Sequence, residues 1–209
     1  MSPLFFQTYW NIIKVDIVNA ITSFFHTSNL LKTINETIIS LIPKVDNPMM
    51  LTNFRPISLC TVLYKTIFKI LANRLKKVLK HYISPSQSAF VPGRQILDNV
   101  IIAHEILHFL KSKRTGKIGF MNLKFDMSKA YDRVEWKFLE RIIMLMGFCP
   151  TFVHWIMACI STVSYSFNLN GQKVGFIKPS SGIRQGDPLS PYLFILCTEG
   201  FSNLLKKAV

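Results

Sequence analysis

With 209 residues, 25 lysines and arginines against 11 aspartates and glutamates, and a net charge of +14, the chain can hold one sizeable core or a piece of a larger domain, and its charge favours a polyanionic partner, nucleic acid or an anionic membrane surface. It is apolar for so basic a protein, at 49% hydrophobic residues and a mean hydropathy of +0.29, as expected of a domain with apolar surface left for further chain to cover. Composition excludes a membrane span, since apolar runs such as "IIMLMGFC" at 142 to 149 fall well short of the ~20 residues that cross hydrocarbon.

In chain order, "MSPLFFQTYWNIIKVDIVNA" has no basic region ahead of its apolar residues, and Lys14 and Asp16 interrupt them. It is a poor signal peptide, and an intracellular protein is expected. Residues 44 to 94 carry Lys44, Arg55, Lys65, Lys69, Arg74, Lys76, Lys77, Lys80 and Arg94 against Asp46 alone. Within them, Leu63, Ile67, Ile70, Leu71, Leu75, Val78 and Leu79 recur at helical spacing, which predicts a helix over 58–82 capped by Ser58, with a basic outer face. Such a face is an ordinary solvated surface, a membrane-surface helix or a phosphate-binding surface; isolated lysines suit phosphates at least as well as lipid.

A second helix is predicted over 96–111, and it contains "HEILH". His104, Glu105 and His108 formally match a zinc-hydrolase motif. The following "FLKSKRTGKIGF" offers no third ligand, so a fortuitous helix surface is the simpler reading.

After Gly116 and Gly119, "FMNLKFD" alternates, with Met121, Leu123 and Phe125 on one face and Asn122, Lys124 and Asp126 on the other. That pattern predicts a strand with Asp126 at its end, projecting from the wet face as a metal ligand would, although turn chemistry is the commoner reason for an aspartate there. "DRVEWKFLERIIMLMG" reads as a helix started by Asp132 with Glu135, a capping-box-like pair, and stopped by Gly147. Asp132 therefore has a sufficient local job, whereas Asp126 does not.

Val163, Tyr165, Phe167 and Leu169 alternate up to Asn170-Gly171, and Val174 and Phe176 continue beyond, a hairpin signal that makes the sheet partly antiparallel. The polar loop "GIRQGDP" then runs into a helix opened by Ser190 and Pro191, whose stripe of Leu193, Phe194, Cys197, Phe201, Leu204 and Leu205 reads as core. Cys60, Cys149, Cys159 and Cys197 lack CxxC spacing and have mostly apolar neighbours, which predicts reduced core thiols rather than a zinc site or disulfides.

Four strings, "LIPKVDNPMMLTNFRPISL", "QSAFVPGRQILDNV", "KFDMSKAYDRVEW" and "GIRQGDPLSPYLFIL", occur in order within residues 36 to 207. Together they resemble the reverse transcriptase domain of non-LTR (LINE-type) retrotransposons, the plant elements most of all. The resemblance implies an α+β fold, a partial right-hand polymerase with fingers at about 1–115 and an incomplete palm of antiparallel sheet and packed helices at about 116–209. It implies that Asp126 and the Met127 carbonyl bind magnesium, with manganese as the alternative. Tyr131 would pack under the nucleotide sugar and exclude a 2′-hydroxyl, Lys44 and Arg55 would neutralise the triphosphate, and Gln185 and Gly186 would touch the nascent base pair. Arg94 would lie near the template, with Lys65, Lys69 and Arg74 tracking nucleic-acid backbone.

The implied partners are an RNA template, a DNA primer, deoxynucleoside triphosphates and the rest of the element's polyprotein, and the implied compartment is the nucleus. The family's second carboxylate source, an aromatic-Ala-Asp-Asp hairpin, has no counterpart in these residues. A chain without polymerase activity of its own is therefore expected. The alternatives are a non-catalytic nucleic-acid-binding remnant, a zinc hydrolase on "HEILH", or a polypeptide that does not fold stably alone.

Overall fold

A computed structural model describes residues 3–113, 115–117 and 119–208. Helices α1 (Pro3–Thr8) and α2 (Trp10–Thr27) lead into strand β1 (Glu36–Pro43), which returns through a short 3-10 turn (Leu51–Asn53) as β2 (Phe54–Cys60). Helices α3 (Val62–Tyr82), α4 (Ile96–Ser112), α5 (Trp136–Leu145) and α6 (Pro150–Ser161) follow, then the hairpin β3 (Ser164–Leu169) and β4 (Gln172–Ile177), and finally α7 (Ser190–Ala208).

The four strands form one sheet in the order β2-β1-β3-β4. The β3/β4 pair is antiparallel, as expected from its turn; β1/β2 is a second antiparallel hairpin that the sequence did not signal, and β1 runs parallel to β3, so strands from both halves of the chain share one mixed sheet. The β3/β4 turn follows the sequence signal: Asn170 and Gly171 have φ of 51° and 82°, the two positive values that a tight hairpin of matching twist requires.

Helix α3 carries the core. Tyr64, Ile67, Phe68, Leu71, Ala72, Leu75 and Leu79 are buried on one face, at the 3.6-residue spacing that seats a helix on a protein interior. Leu139 and Ile143 of α5, Val153 and Ile156 of α6, and Leu193 and Leu196 of α7 complete the same cluster. Lys65, Lys69, Arg74, Lys76, Lys77 and Lys80 are all exposed, so the basic outer face predicted for this helix is present. The cap is Thr61, whose hydroxyl accepts from the Tyr64 amide at 3.2 Å; Ser58 lies buried within β2.

Three expectations are corrected. Residues 121 to 126 form no strand, and Met121, Leu123 and Phe125 are exposed. Alternation sets which side chains share a face, but a strand also needs a ladder partner, and among the described residues none pairs with this segment. Asp132 does not cap α5: it lies in a run of turns over 128–133, and α5 begins at Trp136 without a side-chain cap. The stripe of α7 is core only in its first half, since Leu193 and Cys197 are buried while Phe201, Leu204 and Leu205 extend past the packed helices and are exposed.

Of the four thiols, Cys159 and Cys197 are core, Cys60 is half-buried and Cys149 is exposed. All four are free. Among the described residues no helix is long and apolar enough to cross a membrane.

Candidate functional site

A cleft of about 210 Å³ opens where the base of the β1–β2 hairpin meets the loop before α7, and its lining includes Ile39, Pro56, Ser58, Asp132, Gly182 and Gln185. Two separate backbone attachments build it. On one side the Ser58 amide donates to the Gln185 carbonyl at 3.2 Å, fastening the loop to β2. On the other, the Gly182 amide donates to Val134 O at 2.8 Å, the Ile183 amide to Tyr131 O at 3.0 Å, and the Trp136 indole N–H to Gly182 O at 2.7 Å. The turn that carries Tyr131 and Asp132 is thereby held against the loop that carries Gln185.

Gly186 has φ +89°, which is left-handed backbone that glycine adopts without strain. Arg184 and Asp187, on either side of Gln185-Gly186, are 5% and 4% exposed; Arg184 still contributes to the floor of the cleft, whereas Asp187 is not among its lining residues. The Arg184 guanidinium bonds the side-chain oxygen of Asn35, stacks 4.1 Å from the Tyr64 ring centroid, and faces Asp187 with Nη1 to Oδ2 at 4.0 Å. Asp187 Oδ1 accepts from the Leu189 amide at 2.9 Å. Burial pushes the Asp187 carboxyl up to about 6, partly offset by that amide and by Arg184.

Lys44 and Arg55 are exposed at the outer end of the hairpin, where the Lys44 ammonium bonds Thr52 O at 3.1 Å and Arg55 pairs in register with Ile42. Tyr131 is half-buried, edge-on to Phe194 with centroids 5.3 Å apart, and burial raises its phenol above the ordinary range. Asp126 and Met127 are exposed. Asp132, not Asp126, is among the residues lining the cleft.

Arg94 has an internal occupation: its guanidinium donates to Ser84 O and Gln87 O, both at 2.6 Å, and to Ile83 O at 3.2 Å. Lys65 and Lys69 face solvent, and Arg74 lies over the rings of Phe25 and Trp155 at 5.5 and 5.8 Å. His104, Glu105 and His108 lie exposed along α4. Among the described residues no group of three or more His, Cys, Asp or Glu could hold a metal ion.

Sequence reasoning missed the residues that shape the cleft: Ser58 as a loop anchor, Asn35, Tyr64 and Gly182, and the buried pair Arg184 and Asp187. The string "GIRQGDP" held a signal for the pair, two opposite charges three apart beside an apolar run. Asn35 carried none.

Residues 42–209 match the family described as reverse transcriptase (RNA-dependent DNA polymerase). The chain is 35% identical over 204 residues to the transposon TX1 uncharacterized 149 kDa protein of Xenopus laevis, covering 97% of this chain and 15% of that protein. It is 31% identical over 185 residues to the Pol polyprotein from the type-2 retrotransposable element R2DM of Drosophila melanogaster, covering 88% of this chain and 16% of the relative. A mitochondrial protein of Arabidopsis thaliana, AtMg01250, is 62% identical over 42 residues, 20% of this chain and 34% of that one. The match over most of its length therefore places the chain in the reverse transcriptase family, whose members act on nucleic acid with divalent metal ions. Within that family it is a reverse transcriptase domain of the non-LTR retrotransposon kind.

Proposed function

We infer that this chain supplies the nucleotide-facing part of an RNA-directed DNA polymerase, in a partial right-hand arrangement with fingers over about 1–115 and palm over about 116–209. The observation that supports this most is the cleft itself, because it joins the hairpin bearing Lys44 and Arg55 to Gln185 and to the Tyr131–Asp132 turn. Lys44 and Arg55 meet the triphosphate, the first as a point charge and the second as a planar fork. Tyr131 supports the sugar and selects against a 2′-hydroxyl; Gln185 and Gly186 border the nascent base pair. An RNA template and a DNA primer run along the basic face that includes Lys65, Lys69 and Arg74, near Arg94.

Asp126 and the Met127 carbonyl are the groups assigned to a divalent ion, magnesium by preference, since hard oxygen donors suit it. One carboxylate and one carbonyl cannot align both the attacking and the leaving oxygen. In a primer-extension assay with RNA template, deoxynucleotides and magnesium, the 209-residue polypeptide is accordingly expected to show no incorporation. It should still bind a fluorescent deoxynucleoside triphosphate, and Arg55→Ala should weaken that binding. Incorporation abolished by Asp126→Ala would overturn the inactivity; binding indifferent to Arg55 would overturn the assignment of the cleft.

The six exposed cations of α3 favour one second reading, a nucleic-acid-binding remnant without chemistry. Steeply salt-dependent binding of RNA or DNA without any nucleotide binding would select it.

A further inference from the structure

Gln185 and Gly186 lie between two side chains that turn inward, and the inward pair is an unusual one. Arg184 and Asp187 are almost wholly buried, yet their 4.0 Å approach is not a hydrogen bond, and Arg184 Nε, Arg184 Nη1 and Asp187 Oδ2 have no hydrogen-bond partner. Desolvating two charges costs more than so loose a contact returns, so stability alone gives little reason to keep them. Their surroundings are rigid: Asn35, which receives Arg184, is itself held by Cys159 O at 3.0 Å and Thr162 Oγ1 at 2.7 Å, while Tyr64 stacks on the guanidinium. The outward consequence is the hydrogen bond from the Ser58 amide to Gln185 O, on the side of β2 away from β1.

We propose that Arg184 and Asp187 are positioning residues for the cleft: anchored by Asn35 and Tyr64 beneath it, they fix the intervening Gln185-Gly186 backbone on β2 and so set the surface that a nucleotide or base pair meets. The ligand class rests on the nucleotide reading above; the anchoring does not. The groups facing Asp187 are Arg184 on its own loop and Tyr64 and Lys65 on α3. Near Arg184, burial raises the Cys60 and Cys159 thiols and the Tyr165 phenol, leaving Asp187 as the group of this cluster that titrates between pH 5 and 8.

The test is site-resolved amide exchange by NMR on the 209-residue chain, with fluorescent deoxynucleoside triphosphate binding and thermal unfolding measured on the same samples. At pH 8, Asp187→Asn keeps an acceptor for the Leu189 amide but removes the charge; it should lower the protection of the Ser58 amide about tenfold, as for one freed hydrogen bond, without lowering the melting temperature. Wild-type protection at Ser58 should fall toward the mutant's level as pH drops through about 6, while the mutant's stays flat. Arg184→Met should loosen Ser58 similarly, and both variants should weaken nucleotide binding. Unchanged Ser58 protection would overturn the proposal, as would a uniform loss of protection across the core with a lowered melting temperature, which marks a merely structural role. Wild-type chain that binds no nucleotide would overturn the nucleotide reading instead, with Ser58 exchange still deciding the anchoring.

Discussion

Gly182 lies so close to Asp132 that a Cβ added to the glycine would stand 3.3 Å from both the Cα and the carbonyl oxygen of Asp132. Two motifs far apart in sequence thus meet backbone to backbone, and the turn expected to start a helix instead forms a wall of the cleft. The Gly182 amide bond to Val134 O requires that approach.

Gly182→Ala should therefore destabilise the protein, because φ is +90° there and the crowding atoms are backbone that cannot rotate away. A loss of about 1–3 kcal/mol is expected, read as a lower urea midpoint. An unchanged midpoint would show that the two segments are not held together.

Arg94 and the α3 lysines should part company under mutation. Lys65→Ala and Lys69→Ala remove exposed charges, so each should reduce the salt slope of nucleic-acid binding by about one and leave stability within about 0.5 kcal/mol. Arg94→Ala removes three hydrogen bonds, to the carbonyls of Ile83, Ser84 and Gln87, of which Ser84 O keeps the Gln87 amide, and should lower stability by about 1–3 kcal/mol. Equal effects on binding with none on stability would contradict the internal role seen for Arg94.

Asp187 links stability to pH in an unusual direction. Its folded pKa of about 6 lies above the ordinary carboxyl value, so the folded chain holds this proton more tightly than the unfolded one. The stabilisation is fully present below the ordinary value and is lost as pH rises through about 6. On the order of 3 kcal/mol is at stake for a rise of that size. Comparing wild type with Asp187→Asn in urea unfolding between pH 4 and 7.5 isolates it: the wild type should lose ground to the variant as pH rises.

Cys149 should be the first thiol to react with iodoacetamide near neutral pH. It is exposed, and the amides of Thr151 and Phe152 at the start of α6 lower its pKa. Burial raises Cys60 and Cys159, and pushes Cys197 up to about 12. Peptide mapping that found Cys159 or Cys197 modified first would indicate an open core.

Local patterns survived where their cause was local. Asn170-Gly171 specifies its turn through two residues' own backbone preferences, and the α3 stripe needs any apolar neighbour, not a particular one: Ile67, Leu71, Leu75 and Leu79 are buried, while Leu63 and Ile70 are half-buried and Val78 at its edge is exposed. The segment 121–126 failed the other way: its alternation is real, but strand formation depends on a partner that alternation does not name. Asp132 looked like a cap because Glu135 stands three residues on, yet the Gly182 and Ile183 amides use the carbonyls of Val134 and Tyr131, and the Trp136 indole returns to Gly182 O, contacts that no local pattern encodes.

The amino-acid sequence by itself determined the family, the basic face of α3 and the hairpin turn, because each resides in short strings or in periodicity. Only the tertiary structure decided that β1 lies parallel to β3, that Gln185 is fastened to Ser58, that Asp132 rather than Asp126 lines the cleft, and that Arg184 and Asp187 are buried, Arg184 at the floor of that cleft. Those outcomes depend on which distant backbone groups satisfy one another once the core of α3 has closed, and hydrogen-bond satisfaction between remote segments leaves no period or spacing in the chain.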